Sequence, residues 1–164
     1  MKVNISDILR VNGASIELDF KEAPPENKPL EGYLLDGDLS FSGSLTNVNG
    51  IMQLDGRLNV VYNSECYRCL KTVKKVLELI IEESFINSDD AEQSNMYRFE
   101  GKVLDISKAF NDNIILNLPM KVLCSDDCKG LCINCGANLN EVRCGCSKDD
   151  IEPRLEGLNK YYDN

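Results

Sequence analysis

Apolar and polar residues alternate through much of the first half of the chain. Gly37–Leu45 places Leu39, Phe41 and Leu45 between small polar neighbours, the pattern of a strand with one face buried. Thr46-Asn-Val-Asn-Gly50 supplies turn residues, and Asn49-Gly50 is a strong hairpin signal. A second strand is predicted over Ile51–Tyr62, with Met52, Leu54, Leu58 and Val60 on one face and Gly56 a candidate bulge. A third, Thr72–Phe85, carries Val76, Leu77, Leu79, Ile80 and Ile81. Lys74–Glu83 also has helical propensity, so a helix is the alternative there. Short connections make antiparallel pairing the economical arrangement.

Upstream, Ile5–Leu9 suits one helical turn and Ser15–Phe20 a short strand, before the proline-rich breaker Glu22–Pro29. Asn87–Asn95 is polar and acidic, and is expected to be a mobile loop. Asp105–Pro119 reads as a helix with Asp105 as N-cap. Apolar residues recur there at Ile106, Ala109, Phe110, Ile114 and Leu118, and Pro119 ends it. From Lys121 to Ser147 the apolar periodicity vanishes and cysteine dominates; Pro153–Tyr162 could form a last short helix. The expected fold class is α+β: an antiparallel β-sheet, which could close part-way into an open barrel, one packed helix, and a C-terminal cysteine-rich zinc-ribbon-like segment. The expected division is a β-rich domain over 1–120, ending in the helix, and a zinc-binding segment over 121–164 docked on it.

Composition narrows the chemistry. The 164 residues are 43% hydrophobic and 27% charged, as in an ordinary globular protein. No stretch approaches the roughly 18 apolar residues of a membrane span, and the N-terminus has no apolar signal region. A cytoplasmic protein is therefore expected, and eight cysteines in that reducing compartment point to metal ligands rather than disulfides. There is no histidine, which excludes Ser-His and Cys-His catalytic pairs and any imidazole ligand to zinc. The formal net charge of −9 disfavours direct RNA or DNA binding and favours a basic protein partner. Zinc would not neutralise it, because four thiolate charges outweigh the two of the cation. Lys71, Lys74 and Lys75 form a local basic spot whose ordinary reading is a solvated face.

The cysteines fall in two groups: Cys66-Tyr-Arg-Cys69 between two predicted strands, and the run Cys124, Cys128, Cys132, Cys135, Cys144, Cys146. A C-x2-C turn offers two thiolates from one tight loop, and the glycine after Cys135 lets backbone N–H groups point at sulfur. One partition makes a local site of Cys132, Cys135, Cys144 and Cys146, leaving Cys66, Cys69, Cys124 and Cys128 to pin the segment to the sheet. A rival partition groups Cys124, Cys128, Cys132 and Cys135 and sends Cys144 and Cys146 to Cys66 and Cys69. Either way one or two structural Zn2+ ions are expected. Closed four-thiolate sites do not catalyse, since a catalytic zinc keeps an open position. Nor does Cys66-Tyr-Arg-Cys69 sit at the helix N-terminus that activates a redox dithiol. The deaminase cysteine–glutamate elements and the glycine-rich phosphate loops are also missing, so no enzymatic activity is expected.

The stretch Leu123-Cys124-Ser-Asp-Asp-Cys128-Lys-Gly-Leu-Cys132-Ile-Asn-Cys135-Gly136-Ala-Asn-Leu-Asn140, then Cys144-Gly-Cys146 and Ile151-Glu-Pro-Arg154-Leu155, resembles the signature of the YceD family. These are large ribosomal RNA subunit accumulation proteins. Cys66-Tyr-Arg-Cys69-Leu70 and the Asp105-Ile106 helix are similar to that family in order and spacing, so the resemblance runs from Gly32 onward. It implies a bacterial or organellar factor needed for accumulation of large-subunit ribosomal RNA. Ile133 stands where the family often has proline. The partner expected on these grounds is a basic ribosomal protein or assembly factor, with direct RNA binding through the knuckles as the alternative and a dithiol redox protein a distant third.

Overall fold

A computed structural model describes residues 1–26, 29–88 and 96–146. The elements run β1 (Lys2–Asn4), β2 (Ser15–Glu22), β3 (Tyr33–Leu35), β4 (Leu39–Val48), β5 (Ile51–Glu65), β6 (Thr72–Asn87), β7 (Tyr97–Phe99), β8 (Val103–Asp105) and α1 (Ser107–Asn117). The protein is thus mostly β-sheet with one short helix. The breaker at residues 27 and 28, the loop over 89–95 and the expected helix Pro153–Tyr162 lie outside the described residues.

β4, β5 and β6 form a continuous antiparallel meander. Asn49 and Gly50 join β4 to β5 with φ of 54° and 90°, the left-handed pair that a tight two-residue hairpin requires. β6 is a strand throughout, pairing with β5 from Met52↔Phe85 to Glu65↔Thr72. The helical alternative for Lys74–Glu83 loses because alternation buries Leu79 and Ile81 while Glu78, Ile80 and Glu82 face outward. Gly56 is not a bulge. It sits in unbroken register between Gly43 and Ile81, and its reason is space. A Cβ there would lie 2.5 Å from the Phe41 ring, and one on Gly43 would lie 2.2 Å from the Asp55 carbonyl oxygen. Phe41 lies across both glycines, with its ring centroid 5.6 Å from Phe20 and 5.0 Å from Phe110.

The main sheet runs β2-β4-β5-β6-β7, with β3 on the far end of β5 and β7 parallel to β6. β1 and β8 make a separate two-stranded ladder. The sheet does not close into a barrel: among the described residues β2 and β7 each pair on one side only. The helix begins later than expected. Ile106 is its N-cap and makes no side-chain cap bond, while Asp105 ends β8 and accepts the Ser107 N–H at 3.0 Å.

The core lies between the inner face of the sheet and α1, with the N-terminal turn at one end. Ile5, Leu45, Leu54, Phe85, Ile106, Phe110 and Ile114 are all fully buried. Asn47 is the buried polar residue that fixes this end. Its Nδ2 donates to the carbonyls of Ile8 and Leu9 at 2.7 and 3.0 Å, and its Oδ1 accepts the Gly50 N–H at 2.8 Å. No helix among the described residues is long and apolar enough to cross a membrane.

Candidate metal centre

The β5–β6 connection is the first cysteine loop. Cys66 N–H donates to the Lys71 carbonyl at 2.8 Å and Leu70 N–H to the Cys66 carbonyl at 2.9 Å. These bonds close the turn so that its inner N–H groups face sulfur. Leu70 occupies the left-handed region at φ 59°, the position that glycine fills most readily. The second loop repeats the pattern. Cys132 N–H donates to Ala137 and Gly136 N–H to Cys132, both at 2.8 Å, and here the left-handed residue is Gly136 at φ 72°.

Two backbone seams bring the cysteine run onto the first loop: Tyr67 N–H to Val122 carbonyl at 2.8 Å, and Leu131 N–H to Arg68 carbonyl at 3.1 Å. The Arg68 guanidinium donates to the Cys128 carbonyl at 2.8 Å. Gly130 is needed at this junction, since it has φ 75° and a Cβ would lie 3.0 Å from the Arg68 oxygen.

The sulfurs consequently form two sets. Cys66, Cys69, Cys124 and Cys128 are one and Cys132, Cys135, Cys144 and Cys146 the other, each with all four sulfurs within 4.8 Å of one another. This is the first of the two partitions open to the sequence; Cys124 and Cys128 lie with the β5–β6 loop and not with Cys132 and Cys135. In the first set Cys66 and Cys128 are 3.8 Å apart and Cys69 and Cys124 3.6 Å. Sulfurs bound at about 2.3 Å on a tetrahedron stand about 3.8 Å from one another, whereas a disulfide needs about 2.05 Å. All eight cysteines are free thiols. Each set could hold one metal ion, and an all-sulfur tetrahedral donor set suits a soft or borderline cation.

The electrostatics favour a cation. Burial opposes the Cys66 thiolate, but the N–H groups of Cys69, Arg68 and Cys124 outweigh it and lower the pKa to about 6. Beside it Cys69 is pushed up to about 12: the Lys71 N–H favours its thiolate, but burial and the three neighbouring sulfurs prevail. The second set divides likewise. Cys132 falls to about 6 through the N–H groups of Cys135 and Asn134, while Cys146 rises to about 12 beside the Cys135 sulfur. Four thiols this close cannot all ionise alone; a divalent cation lets them.

A family model described as large ribosomal RNA subunit accumulation protein YceD matches residues 54–160, which include both sulfur sets. The chain belongs to the YceD family. An uncharacterized protein of Mycobacterium tuberculosis is 30% identical over 169 residues, covering 96% of this chain and 79% of that relative. The Arabidopsis thaliana large ribosomal RNA subunit accumulation protein YCED homolog 1, chloroplastic, is 41% identical over 51 residues, 31% of this chain and 16% of that protein. The Bacillus subtilis protein YlbN is 30% identical over 98 residues, covering 58% of this chain and 57% of its own. No solved structure matches the chain.

The two sets of this YceD chain differ in burial. Cys66, Cys69 and Cys128 are buried, whereas Cys135 is exposed and Cys132, Cys144 and Cys146 are half-buried. Asn140 is a residue the sequence reading left without a role. Its Nδ2 donates to Cys128 Sγ at 3.4 Å and to Asn138 Oδ1 at 2.8 Å, and its Oδ1 accepts the Lys129 N–H at 2.7 Å. Such outer partners orient ligands. Its signal in the sequence is the alternation Asn138, Asn140 just beyond the second loop.

Proposed function

We propose that this chain is an accessory factor for large-subunit ribosomal RNA accumulation and ribosome biogenesis, acting in the cytoplasm as a non-catalytic, zinc-stabilised binding protein. The observation that carries the reading is the pair of four-sulfur sets within a chain that belongs to the YceD family. In this reading each set holds one zinc ion. The first fastens the cysteine segment to the β5–β6 loop and the second folds that segment locally. Each zinc supplies a closed tetrahedral cross-link, and its work is structural. The burial of Cys66 argues against dithiol redox catalysis, which needs an accessible thiolate. The partner is a basic ribosomal protein or assembly factor, because the formal charge of −9 suits a basic surface.

Direct RNA contact is the second reading, favoured by one local arrangement. Tyr67, exposed on the first cysteine loop, carries Lys121 Nζ 4.6 Å from its ring centroid, with Arg68, Lys71 and Lys129 nearby in the chain or in its seams. An exposed aromatic among cations is a stacking platform for single-stranded bases.

The test is deletion of the gene in its own organism, with large-subunit RNA measured against small-subunit RNA. A selective deficit, restored by the intact chain and not by Cys66→Ser plus Cys132→Ser, is the expected result. Unchanged RNA in the deletion strain would overturn the reading. Salt-sensitive RNA binding lost in Tyr67→Ala would move the second reading ahead of the protein-partner reading.

A further inference from the structure

Three residues, Lys129, Gly130 and Leu131, separate Cys128 of the first sulfur set from Cys132 of the second. This linker is held from both sides. On one side the β5–β6 loop grips it: the Arg68 guanidinium donates to the Cys128 carbonyl at 2.8 Å, and the Arg68 carbonyl accepts the Leu131 N–H at 3.1 Å. Asn138, Leu139 and Asn140 grip the other side. Leu139 N–H donates to the Gly130 carbonyl at 2.9 Å, and Leu131 forms an antiparallel bridge with Asn138.

The second grip belongs to the second set. Its three residues lie within the eight-residue span from Cys135 to Cys144, so both ends of the span are ligands of that set. The backbone bonds inside this region are short-range: Cys132 N–H to Ala137, and the N–H groups of Glu141 and Val142 to Asn138. A short segment of this kind takes its order from the metal that closes it.

From this span Asn140 reaches the first set. Its Oδ1 accepts the Lys129 N–H at 2.7 Å, and its Nδ2 donates to Cys128 Sγ at 3.4 Å and to Asn138 Oδ1 at 2.8 Å. These partners fix the orientation of the amide, because a backbone N–H can only donate. Asn138 Oδ1 also accepts the Asn140 N–H at 3.1 Å, which holds the side chain and its own backbone together. An N–H aimed at a coordinating sulfur orients that ligand and shares its negative charge.

We propose that Asn140 is a positioning residue that couples the two metal centres, so that an ion in the second set strengthens binding of an ion in the first. Closure of the second set places the Nδ2 donor against Cys128. Closure of the first holds Cys128 and Lys129 where Asn140 meets them. Such coupling is reciprocal, so the first ion strengthens binding of the second by the same factor. It presupposes the zinc-stabilised reading above and deepens it: the two sites fill as a pair and not as independent clasps.

The test is a thermodynamic box on the full chain, stripped of metal and titrated with Zn2+ against a competing chromophoric chelator. Cys144→Ser plus Cys146→Ser gives the affinity of the first set on its own, and Cys66→Ser plus Cys69→Ser that of the second. The overall two-zinc constant of the intact chain, divided by the product of these two, is the coupling factor. A factor of about ten is expected, as for other linked sites. In the Asn140→Ala background it should fall to about one. Asn140 is exposed, so this truncation leaves no cavity.

Asn140→Asp separates the donor from the acceptor. It keeps an oxygen for the Lys129 N–H but turns a second oxygen toward Cys128, so coupling should be lost there too. In cadmium-loaded protein, both Asn140 variants should shift the cadmium NMR resonance that Cys66→Ser abolishes. A coupling factor of one in the intact chain would overturn the proposal, as would a larger factor that both Asn140 variants retain. A folded chain that takes up no zinc would sink the zinc-stabilised reading together with the coupling. Two zinc ions bound independently would sink the coupling and leave that reading standing.

Discussion

The sulfurs of Cys66 and Cys128 lie 3.8 Å apart although 62 residues separate them. That contact ties the β5–β6 loop to the cysteine segment, and Cys69 with Cys124 repeats it. A metal here is a long-range cross-link, whereas one at Cys132, Cys135, Cys144 and Cys146 closes a local loop.

Stoichiometry follows from that division. Intact protein purified under reducing conditions should carry two zinc ions, one for each four-sulfur set. Cys128→Ser plus Cys132→Ser damages both sets and should carry none, whereas Cys66→Ser alone should keep one. Elemental mass spectrometry reads all three; one zinc retained in the double variant would contradict the partition.

The two metals should leave in order. Cys135 is exposed while Cys66, Cys69 and Cys128 are buried, so a chelator reaches the second set first. Zinc release followed with a colorimetric chelator should be biphasic, and Cys135→Ser should remove the fast phase. Hydrogen exchange should show the cysteine segment opening before the sheet.

Leu70 holds the left-handed position that Gly136 holds in the second loop, at φ 59° and 72°. The strain on a side-chain-bearing residue there is about 1–2 kcal/mol, and glycine's greater unfolded-state entropy offsets part of it. Leu70 is 58% exposed, so little burial is lost. Leu70→Gly should raise stability by about 0.5 kcal/mol and Gly136→Ala should lower it by about 1 kcal/mol, read from urea midpoints of zinc-loaded protein.

Phe41 leaves no room beside Gly56, where a Cβ would meet its ring at 2.5 Å. Gly56→Ala should cost about 3 kcal/mol through overpacking. Combining it with Phe41→Leu should cost less than the sum of the two single changes, because the two sites are in contact. Thermal unfolding of the four proteins in the cycle checks this.

Tyr97 should make the fold sensitive to alkali. Burial, its hydrogen bond to Asp112 at 3.1 Å and the charges of Glu83 and Asp112 raise the phenol from 10.0 to about 12. The folded state therefore keeps a proton that the unfolded state has released. The contribution is whole below pH 10.0 and is lost as pH rises through about 12. Tyr97→Phe should lose less stability than the parent across that window, measured by urea unfolding at stepped pH.

By itself the sequence determined the features that adjacent residues encode. Leu39, Phe41 and Leu45 set a two-residue period, Asn49-Gly50 sets the hairpin, and the histidine-free cysteine run sets the donor chemistry. Each depends on local backbone preference or on composition. Tertiary structure alone decided what depends on register and chain return. The three-residue strands β3 and β7 are too short for a periodic signal, and pairing makes them strands. Gly56 looked like a bulge because its meaning lay in the Phe41 ring, fifteen positions away. Leu70 gave no hint of its left-handed backbone, since nothing in its type favours it. The eight thiols permitted two partitions from spacing alone. The choice was made by the seams Tyr67 to Val122 and Arg68 to Leu131, whose backbone bonds bring Cys124 and Cys128 to the β5–β6 loop. Likewise Asp55 and Glu82 are unremarkable carboxylates in sequence, and only strand register sets them face to face.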